Sequence, residues 1–325
     1  MSIATAEKKA ALKRQKAADK KLRPTVWSDI KHNPWLYGLC VPALLFFLLF
    51  SYIPMFGLYI AFVDYRPLEG IWGSEFIGIE NFKAFFATDN WITVTGNTLF
   101  LNALFIFFTT LTSVIIAIML SEMSNKWVKK ITQSIVILPH FMSWTVVSML
   151  SVAILASNGM VNQIITTFGA DPVEFYNTPS VWPLILVLLR IWQGAGFGSI
   201  VYLATITGID SSIYEAAAVD GASRFQCITK ITLPLLKNTI IMLTIMSVGK
   251  IFNGDFGMIY AMVGSNSILY PTTDVIDTYL FRQLLENPSM GQTAAVGLVQ
   301  SVLGLCFVLL CNKVANKWSP ESALF

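Results

Sequence analysis

The chain has 325 residues, 55% of them hydrophobic and 13% charged, with a mean hydropathy of +0.63. About a quarter of a soluble domain is charged, so this composition excludes an ordinary soluble globular protein and points to lipid as the solvent. The formal net charge of +3 excludes nothing until its placement is read; the four cysteines, Cys40, Cys227, Cys306 and Cys311, lack metal-ligand spacing and read as small apolar side chains rather than a disulfide framework.

In chain order, the first element is a basic segment, residues 1–35, with nine Lys or Arg from Lys8 to Lys31. It is too long, and the apolar run behind it too wide, for a cleavable signal with its apolar region of about 7–15 residues. Its Ala- and Lys-rich stretch Glu7–Arg23 reads as a basic surface helix or as a solvated tail held near anionic lipid. A spanning helix needs roughly 20 mostly apolar residues. Six stretches qualify: Leu36–Phe62, Asn97–Leu120, Ser134–Ala156, Val181–Ile206, Thr239–Val263 and Ala294–Cys311, the last with a start as early as Met290. They fill a membrane domain over 36–318, and residues 319–325 form a tail.

Charge sets the orientation. Lys126, Lys129 and Lys130 follow the second span, Arg224, Lys230 and Lys237 the fourth, and Lys313 and Lys317 the sixth. With the N-terminal segment they place 17 cations on one side, against Arg66, Lys83 and Arg282 on the other. This asymmetry predicts cytoplasmic N- and C-termini. Six spans fit many unrelated membrane functions, so the class rests on something more specific.

That feature lies between the fourth and fifth spans. Residues 210–237 read as two short helices. Ser212 with Glu215 forms an S-x-x-E capping box that starts a helix near Ile213. Ala216, Ala217 and Ala218 are strong helix formers with almost no side chain. Gly221 suits the left-handed residue that ends a helix, and Ser223 caps the next. Phe225, Ile228 and Ile231 give that second helix an apolar face, and Pro234 marks the approach to the fifth span. A small-faced helix projecting from a membrane fits a groove on another protein.

The spacing Glu215-Ala216-Ala217, three residues, Gly221, nine residues, Ile231, one residue, Leu233-Pro234 resembles the EAA signature of binding-protein-dependent ABC permeases, with all seven fixed positions in place. Gly78-Ile79-Glu80-Asn81-Phe82 resembles an external phrase of sugar permeases. Trp192-Gln193-Gly194-Ala195-Gly196-Phe197, Tyr202-Leu203-Ala204 and Gly208-Ile209-Asp210 resemble their run into the loop. Asp277-Thr278-Tyr279, Ala294-Ala295-Val296-Gly297-Leu298, Gln300-Ser301-Val302 and the terminal Leu324-Phe325 resemble the polysaccharide-permease branch served by lipoprotein binding proteins.

The resemblance implies an all-α, six-span permease in the plasma membrane that imports an oligosaccharide by alternating access. It implies that Glu215, Ala216, Ala217, Asp220, Gly221, Ile231, Leu233 and Pro234 belong to the coupling loop, with Glu215, Ala216, Ala217 and Gly221 as its docking core. It implies three kinds of partner: a second permease chain, two ATPase subunits or domains, and an extracellular solute-binding lipoprotein. No G-x-x-x-x-G-K-[ST] loop occurs, since Gly249-Lys250 is followed by Ile251, so ATP and Mg are expected on the ATPase partner and no cofactor or catalytic residue on this chain. No metal site and no nucleic-acid partner is expected either.

Polar groups inside the spans remain. Gly194, Gly196 and Gly198 lack a surrounding βαβ unit and read as close-packing positions. His32 and His140 have no metal-site companions. Arg190 lies midway along the fourth span, and Lys250 and Asp255 lie in the fifth on different sides of an ideal helix. Such charges face a partner or a wet cavity, so Asp255 either pairs with Arg190 or lines the sugar path, or does both. Sugar recognition needs aromatic faces together with amides or carboxylates. Trp192, Gln193, Asn253, Asp255, Tyr260 and Gln300 supply both and are the candidate path residues. Two rival readings are a permease for a peptide or amino acid, which keeps the loop but not the phrases at Trp192 and Asp277, and an autonomous secondary transporter, which explains Asp255 but not the loop.

Overall fold

The computed structural model describes residues 26–88, 90–286 and 289–318. The segment Glu7–Arg23, the tail 319–325 and the Leu324-Phe325 phrase therefore lie outside the described residues. The described residues divide into two compact units, one running to Tyr59 and one from Ile60.

In the first unit α1 (Val26–His32) meets α2 (Pro34–Phe47) at Asn33. Asp29 joins them: its carboxylate accepts from Asn33 at 2.9 Å and from the Tyr37 hydroxyl at 2.8 Å. Pro34 opens α2, where its missing N–H has no helical partner to lose. Leu44, Phe46 and Phe50 are exposed, as suits a helix in lipid.

The second unit opens on an antiparallel hairpin, β1 (Val63–Asp64) with β2 (Glu75–Phe76), pairing Val63 with Phe76 and Asp64 with Glu75. So short a hairpin is marginal alone. Gly78, at φ +63°, turns the chain into α3 (Glu80–Phe86). From α3 the Asn81 amide donates to the carbonyls of Ala61 and Val63, both at 3.0 Å, while Phe82 packs on Phe62 at 5.3 Å. The phrase at 78–82 is thus a bracket that holds the hairpin.

The helices that build the rest of this unit include α4 (Asn90–Ser121), α5 (Lys126–Ile137), α6 (Trp144–Leu155), α7 (Met160–Thr167), α8 (Trp182–Thr207), α9 (Ser211–Val219), α10 (Arg224–Cys227), α11 (Leu233–Val248), α12 (Phe256–Val263), α13 (Ile276–Glu286) and α14 (Met290–Trp318). Among the described residues, six helical runs are long and apolar enough to cross a bilayer: Pro34–Phe62, Asn90–Ser121, Trp144–Thr167, Pro179–Thr207, Arg224–Val248 and Met290–Lys317. The fold is that of an all-α membrane protein with these six spans.

Two expected spans are interrupted by non-α backbone turns, whereas Leu36–Phe62 runs on without a gap from α through π to 3-10 helix. Over Ser134–Ala156, α5 stops at Ile137, Leu138–Phe141 form a 3-10 turn around Pro139, and α6 restarts behind Ser143. The Ser143 hydroxyl accepts from the Val146 N–H at 3.4 Å. Proline has no N–H to give and crowds the preceding turn, so an apolar window runs across a real break. Over Thr239–Val263, the helix ends at Val248, and residues 249–255 leave the helical path before α12.

Apolar burial drives little association in lipid, so close packing and hydrogen bonds carry the bundle. Gly194 and Gly198 of α8 lie against Thr109 and Ser113 of α4, and Ser113 donates to the Ala195 carbonyl at 3.0 Å. Gly196, on another face of α8, abuts the Val136 backbone of α5. Trp182, Leu186, Leu101, Met258 and Leu269 form one buried core; Val114, Leu120, Tyr202, Ile206 and Leu236 form a second.

Candidate functional site

A cavity of about 660 Å³ opens beside the break at 249–255. The break lies inside the bundle. At 1.5 Å per residue, Arg190, Gln300 and Asn102 stand about 12, 15 and 18 Å from the starts of their helices. A hydrocarbon core about 30 Å thick offers no water to a bare backbone at such depth. Side chains from other helices take its place. Asn102 of α4 donates to the carbonyls of Ile251 and Asn253 at 3.0 and 3.1 Å. Gln300 of α14 donates to the Phe252 carbonyl at 3.0 Å. The Gly254 N–H donates to the Asp277 carboxylate. Val275 and Asp277 occupy the space that a Cβ on Gly254 would fill, so only glycine fits there. Asn97, one and a half turns before Asn102, holds the Pro271 and Asp274 carbonyls at 3.2 and 3.1 Å. Burial pushes the Asp277 carboxyl up from the ordinary carboxylate range, against the hydrogen bonds from Gly254 and Gln300.

Asp255 ends the break. One carboxylate oxygen accepts from the Met258 N–H at 3.2 Å and caps α12; the other accepts from Arg190 at 2.8 Å. The ion pair and the cavity position coexist, and both oxygens are already engaged.

The candidate path residues divide. Asn253 and Asp255 line the cavity, together with Arg190 and Lys250. Gln300 and Gln193 are buried, and Gln300 clamps the backbone behind the cavity wall. Tyr260 stacks on Phe256 at 5.2 Å, and Trp192 is exposed; neither lines the cavity. Cavity residues absent from the sequence-based set include Asn102, Thr109, Ser113 and Ser247. The clue available for Asn102 was an amide in an otherwise apolar span.

The loop between α8 and α11 has its own geometry. Helix α9 starts at Ser211, earlier than expected, because Asp210 caps it: its carboxylate accepts from the Ser212 N–H at 2.9 Å. Hydrogen bonds from Ser212 hold the Asp210 carboxyl below its ordinary range. Ser212 and Glu215 therefore form no capping box; the box sits at Ser223 and Gln226, with reciprocal bonds of 2.7 and 3.3 Å. Gly221, at φ +77°, ends α9 as expected. The Ala222 N–H reaches the Ala217 carbonyl and the Gly221 N–H that of Ala218, at 2.9 and 3.1 Å, which satisfies the last carbonyls.

Pro234 does not separate the second arm from the fifth span. Helix α10 passes through a π turn, Ile228–Thr232, straight into α11. The Leu233 N–H bonds the Ile228 carbonyl, a wider ring that lets the helix continue past a proline with no donor. The Tyr214 and Thr232 hydroxyls meet at 2.9 Å and join the two arms. Ala216, Val219 and Phe225 stand exposed on the loop.

Six apolar spans, a polar break that opens a cavity beside the second, fourth and fifth of them, and a braced two-helix loop with an apolar surface define a multi-pass membrane permease subunit. The model of the family described as "binding-protein-dependent transport system inner membrane component" matches residues 113–319, and the chain belongs to that family. Protein LplB of Bacillus subtilis (strain 168) is 36% identical over 293 residues, covering 90% of this chain and 92% of that one. The polygalacturonan/rhamnogalacturonan transport system permease protein YteP of the same organism is 34% identical, covering 93% and 94%. Among solved structures, a chain of a bacterial ABC transporter involved in the import of the acidic polysaccharide alginate superposes with a TM-score of 0.82 at 36% identity, covering 90% of this chain and 99% of that one.

Proposed function

We propose that this chain is the permease subunit of an ATP-driven importer for an oligosaccharide delivered by an extracellular solute-binding protein. The observation that carries this reading is the likeness to the alginate importer, 36% identity and a TM-score of 0.82 along 90% of the chain. In this reading α9 carries the docking face, with Glu215, Ala216, Ala217, Asp220 and Gly221, while Ile231, Leu233 and Pro234 fix the arm that enters the membrane. The Tyr214–Thr232 contact makes the two arms one lever, so a push on α9 reaches α11 and the break at its end. The sugar passes beside Asn253 and Asp255, with Gln193, Gln300, Trp192 and Tyr260 in the surrounding shell.

The remaining parts come from partners. ATP and Mg bind to two ATPase subunits, and this chain supplies no catalytic group, metal site or cofactor. A second permease chain completes the pathway. Both termini face the cytoplasm, on the side where the basic residues gather. ATP drives the cycle only by binding one conformation better than the other.

The test is reconstitution of the whole complex in liposomes. Oligosaccharide uptake that needs both ATP and the binding protein, with no nucleotide turnover by this chain alone, is the expected result. Uptake by this chain alone under an ion gradient overturns the reading.

A further inference from the structure

The cavity beside the break is electrically lopsided. Its lining holds two cations, Arg190 and Lys250, and one carboxylate, Asp255. Both oxygens of that carboxylate are committed, to Arg190 and to the cap of α12. Lys250 has no salt-bridge partner among the described residues. It lies at the start of the non-helical stretch, whose carbonyls at 251 and 253 are both taken by Asn102. The Arg190 guanidinium spends one nitrogen on Asp255, and most of its N–H groups remain to donate. Lys250 is exposed in this chain and lines the cavity, and an unpaired in-span charge that faces a wet cavity marks a substrate pathway.

We propose that Lys250, with the remaining N–H groups of Arg190, receives a sugar carboxylate, so that the cargo is a uronate-bearing oligosaccharide rather than a neutral one. The inference rests on the oligosaccharide reading above and narrows its substrate class. The rest of the cavity suits the same ligand. Asn253 and Ser247 offer partners to hydroxyls, and the half-buried Phe256 offers apolar surface to the C–H side of a ring. A carboxylate between an ammonium and a guanidinium makes charge-assisted hydrogen bonds, about twice as strong as those to a hydroxyl. Asp255 keeps Arg190 in place without cancelling Lys250.

The experiment uses the complete complex in liposomes with two probes of equal length: galacturonate or mannuronate trimers to pentamers, and the same oligosaccharides with their carboxyl groups reduced to alcohols. Each variant is scored by its acidic-to-reduced uptake ratio relative to the parent, which cancels the preference of the binding protein. Lys250→Gln lowers this ratio about tenfold, the size of one lost charge-assisted contact. Lys250→Glu lowers it further, and Lys250→Arg keeps it within about twofold because the charge is retained. A parent that imports only the acidic probes supports the inference when Lys250→Gln lowers that uptake and Lys250→Arg keeps it.

An unchanged ratio in Lys250→Gln overturns the inference. So does an equal loss with both probes, which makes Lys250 a structural partner of another chain. A parent that imports only the reduced probes overturns the inference and leaves the oligosaccharide reading intact. A parent that imports neither also overturns the inference, and the oligosaccharide reading is then judged by its own reconstitution test.

Discussion

Gln300 shows what a single buried amide does in a membrane bundle. Its side chain is 7% exposed, and it donates to the Phe252 carbonyl in the break and toward Asp277. Gln300→Ala leaves that carbonyl without a donor, at a cost of about 1–3 kcal/mol. The expected outcome is a lower thermal midpoint of the purified complex, with uptake falling in step with the folded fraction. A parental midpoint with uptake abolished would move Gln300 from a clamp to a contact with the cargo. At this scale the sequence was half legible. In-span polar residues stood out by type, and Asp255 and Arg190 were paired correctly as an alternative. What a side chain faces depends on where other helices stand, so Gln300 looked the same from sequence whether it lined the cavity or held the wall behind it.

Among elements, the loop at 210–237 was the most legible, because its signals are local. Gly221 is left-handed and Ser223 is a cap, as their chemistry implies. Asp210 took the first cap from Ser212, and the π turn carried the helix past Pro234, a choice that only the completed backbone reveals. The window at Thr239–Val263 misled for a different reason. Hydropathy counts apolar residues, whereas this helix breaks where Asn102, Gln300 and Asp277, all distant in sequence, can satisfy the freed backbone. The Gly221 position gives a clean test. A Cβ there would meet nothing within 4 Å, so a substitution acts through backbone conformation and not through a clash. A β-branched residue in the left-handed region costs at least about 1–2 kcal/mol, and asparagine tolerates it. Gly221→Val is expected to re-aim α9 and lose both co-purification with the ATPase subunit and sugar-stimulated ATP hydrolysis, while Gly221→Asn keeps both. Normal docking and hydrolysis in Gly221→Val would separate the loop from coupling.

For the whole molecule, orientation in the membrane follows from where the charges sit relative to the spans. The helical runs from Asn90–Ser121 onward leave Lys126, Lys129 and Lys130 at the start of α5, and Arg224 and Lys230 in the second arm of the loop. Asp171, by contrast, lies between α7 and α8, in a stretch with acidic residues and no Lys or Arg from 157 to 181. Inserting a loop with the wrong bias means moving its cations across the bilayer and away from the anionic lipid of the cytoplasmic leaflet, which attracts each by about 1 kcal/mol near the surface. The several cations of the α9–α11 region outweigh any single substitution, so the topology should survive a probe residue. With Cys40, Cys227, Cys306 and Cys311 replaced, Asp171→Cys is expected to react with a membrane-impermeant maleimide added outside intact cells. Lys126→Cys should react only after the membrane is opened. Because both probes sit in one chain with a single span between them, Trp144–Thr167, an even number of miscounted spans elsewhere cannot mimic the result. Labelling of Lys126→Cys from outside, with Asp171→Cys protected, would invert the whole bundle and place the loop on the wrong side for any ATPase.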